Sequence, residues 1–137
     1  MPQPTFQLPK SFTSWFAAKD WQIYPHQREM INFWQQRRSI LLIAPTGAGK
    51  TLSGFLPSLI DIANGTEEGI HTLYISPLKA LAVDIARNLE TPIKDMGLDI
   101  RIETRTADTP QSRRSRLRTR PPHILLTTPE TLELMLS

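Results

Sequence analysis

Cysteine is absent from this 137-residue chain, which excludes a disulfide framework and thiolate metal sites. Long apolar runs are missing too. The longest, Ile40-Leu41-Leu42-Ile43-Ala44, falls far short of the roughly 18 residues a membrane span needs, so no membrane partner is expected. The opening Met1-Pro2-Gln3-Pro4 lacks the basic segment and apolar core of a secretory signal, and a cytoplasmic location is expected. No aromatic residue follows Tyr74, so the C-terminal part has no rings on which bases could stack. His26, His71 and His123 are scattered without ligand spacing, and no structural metal is expected. The length allows one small domain.

What is present is unevenly distributed. Residues 1–99 balance acid against base, whereas 100–137 hold Arg101, Arg105, Arg113, Arg114, Arg116, Arg118 and Arg120 against Glu103, Asp108, Glu130 and Glu133. The formal charge of +3 therefore comes from the last quarter. Five of its arginines crowd 113–120 with no acid among them. Guanidinium forks match phosphate oxygens, which fits a nucleic-acid surface; a solvated helix face fits equally well.

Apolar spacing predicts helices over Ser11–Lys19 and Pro25–Arg37. An alternation follows: a strand over Ser39–Ala44, a helix over Lys50–Ala63, a strand over Thr72–Ile75 and a helix over Leu78–Asp95. A strand over Asp99–Glu103, a basic helix over Gln111–Arg118, a strand over His123–Leu126 and a helix opening at Pro129 complete it. Strands alternating with amphipathic helices predict an α/β fold with a parallel sheet. Ser76-Pro77, Thr109-Pro110 and Thr128-Pro129 each read as a capping hydroxyl before a proline at the first helical position. Three such joints would aim helix N-termini at the sheet's carboxyl edge, where open α/β folds bind ligands.

The most specific motif is Ala44-Pro45-Thr46-Gly47-Ala48-Gly49-Lys50-Thr51, a glycine-rich loop between an apolar run and a helix. It reads as a P-loop. Gly47 and Gly49 let backbone N–H groups curl around an anion, Lys50 reaches the outer phosphates of ATP, and Thr51 offers a hydroxyl to Mg²⁺. Ala44 stands where the general pattern has Gly. Upstream, Gln27 in Ile23-Tyr24-Pro25-His26-Gln27 carries an amide able to read an adenine edge, with Trp21 or Tyr24 available to stack on the ring. The loop by itself specifies a nucleotide, not a function. A P-loop kinase or NTPase without nucleic acid satisfies Lys50 and Thr51, and a nucleic-acid-binding module with a degenerate loop satisfies the arginine cluster.

In order along the chain, Pro25-His26-Gln27 resembles the Q motif and Ala44–Thr51 motif I of the superfamily 2 DExD/H-box helicases. Ser76-Pro77-Leu78-Lys79-Ala80-Leu81 resembles motif Ia, and Thr127-Thr128-Pro129-Glu130 the later motif that grips the DNA strand. The stretch Tyr74–Glu90 with Arg105-Thr106-Ala107-Asp108-Thr109 is similar to the Lhr-type branch, and within it to the ligase-associated DExH-box helicases, although Ala107 stands where that branch carries Gly. The resemblance implies the N-terminal portion of a RecA-like P-loop NTPase domain, with helices and the Q motif in 1–38 and P-loop βα units in 39–137. It implies ATP with Mg²⁺ on Gln27 and Ala44–Thr51, with Lys50 and Thr51 catalytic. It also implies nucleic-acid contacts from Ser76, Pro77, Lys79, Arg105, Asp108, Thr109, Thr128, Pro129 and Glu130. The implied activity is 3′ to 5′ translocation on single-stranded DNA with unwinding of DNA or RNA–DNA duplexes in bacterial repair, alongside DNA ligase and repair nucleases.

Motif II, motif III and the second RecA-like domain are not found. No Asp-Glu pair occurs, and Asp61 and Asp84 fall in helical segments. The chain is therefore expected to be a fragment in which the P-loop strand lacks its usual neighbour, and this polypeptide alone is expected to associate and not to turn ATP over.

Overall fold

A computed structural model describes residues 7–43, 50–65 and 69–137. The chain divides into two compact units, Met1–Asp61 and Ile62–Ser137.

In the first unit, α1 (Lys10–Ala18) presents Phe12, Trp15 and Phe16 at helical spacing and buries all three. α2 (Pro25–Gln35) uses Pro25 at its first position, where a missing N–H costs nothing, and buries Gln27 and Ile31. α3 (Lys50–Ala63) lies in this unit up to Asp61 and there buries Phe55, Leu56, Leu59 and Ile60.

In the second unit, β1 (Thr72–Ile75), β2 (Ile102–Arg105) and β3 (Ile124–Thr127) form a parallel sheet in the order β1-β3-β2. All of β3 is buried, the apolar Ile124, Leu125 and Leu126 and the polar Thr127 alike, as befits the central strand of a parallel sheet. α4 (Lys79–Met96) packs on β2 and β3 and buries Ala82, Ile85, Leu89 and Ile93. It ends at Gly97, whose φ of 65° lets Leu98 N–H bond the Ile93 carbonyl at 3.0 Å. α5 (Gln111–Thr119) buries nothing, and α6 (Pro129–Leu136) closes the chain. No helix among the described residues is long and apolar enough to cross a membrane.

Three expectations need correction. Ser39–Ile43 form no strand, since none of the described strands pairs with them, and Leu41 and Ile43 are 84% and 86% exposed; the Ala44 end of the expected strand lies outside the described residues. β2 starts at Ile102 rather than Asp99, because Arg101 N–H is drawn onto the His123 ring nitrogen at 2.9 Å instead of entering the ladder. Of the three hydroxyl-proline joints only Thr128-Pro129 caps a helix directly. α4 begins two residues after Pro77, α5 begins after Pro110, and Ser76 and Thr109 spend their hydroxyls on turns.

Candidate functional site

Strand register aligns the carboxyl tips of the sheet. Ile75 lies opposite Thr127 and Arg105 opposite Thr127, so the residues that leave all three strands start from one row. Parallel strands then deliver Ser76-Pro77, Thr106–Thr109 and Thr128-Pro129 to the same edge.

The three segments are built differently. After β1, Ser76 is buried and its Oγ accepts the Leu78 N–H at 3.3 Å, a turn that leaves Pro77 and Lys79 exposed at the opening of α4. After β2, Thr106 N–H donates to Thr109 Oγ1 at 2.9 Å, Thr109 N–H to the Thr106 carbonyl at 3.2 Å, and Asp108 N–H to Thr106 Oγ1 at 3.3 Å. Among the described residues only Asp20 and Arg37 have positive φ outside glycine, so this turn accepts Ala107 without the left-handed backbone that favours glycine. After β3, Thr128 Oγ1 accepts the Thr131 N–H at 3.4 Å and donates to Thr131 Oγ1 at 2.9 Å, capping α6. Pro129 and Glu130 are exposed beyond it.

The edge therefore sorts the predicted residues by what they can do. Ser76 and Thr128 are buried and committed to backbone, Arg105 and Thr109 are half-buried, and Lys79, Asp108, Pro129 and Glu130 face solvent. Arg105 Nε is buried without a hydrogen-bond partner at the tip of β2. Lys79 Nζ and Asp108 Oδ2 pair at 3.0 Å, an ion pair that no local pattern signals because 29 positions separate the two.

Three of the five arginines of the run contact other parts of the chain while α5 itself stays on the surface. Arg116 Nη2 bonds Glu103 Oε1 at 2.9 Å, Arg113 Nη2 lies 3.9 Å from Glu103 Oε2, and Arg114 Nη2 donates to the Ala107 carbonyl at 2.9 Å. Glu103 and Ala107 thus tie α5 to β2 and to the turn after it.

In the other unit, Lys50 and Thr51 open α3 and are exposed, with no acid in its first turn. A 14-residue helix with that N-terminus is electrostatically suited to an anion. Ala44, Pro45, Thr46, Gly47, Ala48 and Gly49 lie outside the described residues. Among the described residues no trio of His, Asp and Glu could hold a metal, so a cation here would rely on the Thr51 hydroxyl and on phosphate oxygens, the ligand set Mg²⁺ commonly takes. Gln27 is buried, and its Oε1 accepts the Tyr24 N–H at 2.9 Å, holding the start of α2. A cleft of about 970 Å³ in the same unit is lined by Phe16, Ala17, Trp21, Gln22, Ile23 and Arg28. Trp21 lines it edge-on to Trp15, with ring centroids 5.4 Å apart, whereas the Tyr24 ring leans on His26.

Residues 24–137 match the family model for the DEAD/DEAH box helicases. The chain is 39% identical over 145 residues to ATP-dependent helicase Lhr-Core of Methanocaldococcus jannaschii, covering 95% of this chain and 17% of the relative. It is 37% identical over 161 residues to Lhr helicase/uracil glycosylase of Escherichia coli, covering 99% of this chain and 10% of the relative. The solved structure of Mycobacterium smegmatis helicase Lhr bound to ssDNA and AMP-PNP superposes with a TM-score of 0.87 at 37% identity, over 94% of this chain and 18% of that one. The chain thus spans less than a fifth of each of these proteins, and its α/β architecture is that of part of their N-terminal RecA-like domain.

Proposed function

We propose, proceeding from the fact that this chain belongs to the DEAD/DEAH box helicase family, in its Lhr-type branch, that it is the ATP-holding and strand-gripping front part of a nucleic-acid translocase. Residues 1–38 bring Gln27 and Trp21 to the adenine, and 39–137 bring the glycine-rich loop and the strand tips. The triphosphate lies at the N-terminus of α3 against the N–H groups of Gly47 to Thr51, with Lys50 on the outer phosphates and Thr51 on Mg²⁺. Adenine enters the cleft lined by Trp21. Ala44, Pro45, Thr46 and Ala48 complete the loop.

The observation that carries the reading is the shared row at the sheet's carboxyl edge, from which Lys79, Arg105 and Thr109 reach solvent while Ser76 and Thr128 fix the turns beneath them. A polynucleotide backbone follows such a row because its phosphates repeat regularly. The relatives are named ATP-dependent helicases, and one solved neighbour is bound to ssDNA and AMP-PNP. Phosphoryl transfer to water needs positioning and charge neutralisation. With no Asp-Glu pair in its 137 residues, this polypeptide holds ATP without turning it over. The ligase-associated affiliation, the DNA ligase and repair-nuclease partners, the repair role and the bacterial setting rest on the motif resemblance of Tyr74–Glu90 and Arg105–Thr109.

Titration of a fluorescent single-stranded oligonucleotide tests the edge. Arg105→Gln weakens binding and shallows the dependence of log affinity on log salt by about 0.7, one phosphate's share for a single strand. An unchanged slope contradicts the placement of Arg105 on a phosphate.

A further inference from the structure

We infer that Asp108 is an internal stand-in for a backbone phosphate, occupying Lys79 until a polynucleotide displaces it; the inference rests on the strand-gripping role proposed above. Lys79 Nζ and Asp108 Oδ2 are 3.0 Å apart, joining the opening of α4 to the turn after β2. The two partners are held very differently. Asp108 sits on a turn closed by three hydrogen bonds of its own, all within Thr106–Thr109. That turn is braced from outside by Arg114, which donates to the Ala107 carbonyl at 2.9 Å. Arg113 and Arg116 fix α5 to Glu103 on β2, so the brace itself is anchored. Lys79 has only its flexible four-carbon stem and a point charge with three donors. The fixed acid therefore decides where the mobile ammonium waits.

An exposed carboxylate is a fit temporary partner. It carries the single negative charge of a phosphodiester and accepts the same hydrogen bonds. With side chains 50% and 79% exposed, the pair is weakly held and screened by salt, so an arriving phosphate can replace it. Before arrival the pair keeps Lys79 from adhering to any passing anion. After it, Asp108 stays in place to take Lys79 back, which keeps the grip weak enough to release. A translocating protein needs release as much as grip.

A double-mutant cycle on the 137-residue chain tests this, read by anisotropy of a labelled single-stranded oligonucleotide at low salt. Lys79→Gln weakens binding. Asp108→Asn tightens it by about two- to five-fold, the range expected when one exposed pair no longer competes. In the Lys79→Gln background that gain is lost. Equal gains in both backgrounds would show that Asp108 acts only as a general negative charge, and the stand-in role falls. Weaker binding by Asp108→Asn would make Asp108 an orienting partner of Lys79, which overturns it as well; Asp108→Ala gives the same sign if the stand-in role is right. Should Lys79→Gln leave affinity unchanged, the placement of Lys79 on a phosphate fails first, and the inference goes with it. Asp108 lies on the surface, and an unchanged melting temperature shows that the variants fold.

Discussion

His123 shows how much one side chain contributes to the frame beneath the candidate edge. Its Nδ1 accepts the Arg101 N–H at 2.9 Å, and its carbonyl accepts both His71 N–H and Thr72 N–H, at 2.8 and 3.0 Å. Burial, reinforced by the Arg101 charge, lowers its pKa against an opposing pull from Asp99. The unfolded chain therefore takes up the proton at a higher pH than the folded one. Stability is complete above about pH 6.5 and declines as pH falls through the window below it. Urea titrations between pH 7.5 and 5.5 should show the midpoint dropping with acid, and His123→Gln should flatten that drop; an equal slope in the variant contradicts the assignment. Gln27 was legible only in part. Its place two residues after Pro25 was legible, but its burial and its bond to Tyr24 N–H depend on neighbours that a single sequence does not display.

Elements were legible where local pattern and tertiary need agree. The helix over Lys50–Ala63 and the strand over Thr72–Ile75 have the bounds that their apolar spacing predicts. The pattern failed where a partner decides the outcome. Ser39–Ile43 is apolar enough for a buried strand, yet a strand exists only when another takes its hydrogen bonds. The arginine run read as phosphate-facing or solvated, whereas Glu103 and the Ala107 carbonyl occupy three of its members. Hydroxyl-proline joints show a similar ambiguity, since a serine or threonine can close a turn as readily as cap a helix. Thr128 is the one that caps. Thr128→Ala should cost about 1 kcal/mol in chemical unfolding, and Thr128→Ser should restore most of it. A neutral Thr128→Ala would mean that the buried hydroxyl pair with Thr131 contributes nothing to α6.

At the scale of the molecule, the α/β class and the carboxyl edge were readable because strands alternating with helices run parallel and so end on one edge, while the strand order β1-β3-β2 and the pairing of Lys79 with Asp108 were not. The sheet ends at β1, which leaves one edge of that strand unpaired among the described residues, with Leu73 and Ile75 exposed. Such an edge is a template for another chain. Sedimentation of the 15.6 kDa polypeptide should show concentration-dependent association that Leu73→Lys reduces; a monomer at all concentrations contradicts this. On the proposed function, ATP at the start of α3 and a strand along the sheet edge occupy separate sites. Both affinities measured in Lys50→Ala, with a fluorescent ATP analogue plus Mg²⁺ and with a labelled single-stranded oligonucleotide, decide whether they do. ATP binding should fall at least about ten-fold, as expected for loss of a charge-assisted contact of about 1.5 kcal/mol or more, while oligonucleotide affinity stays within about two-fold. Loss of both together, or of neither, would contradict the account.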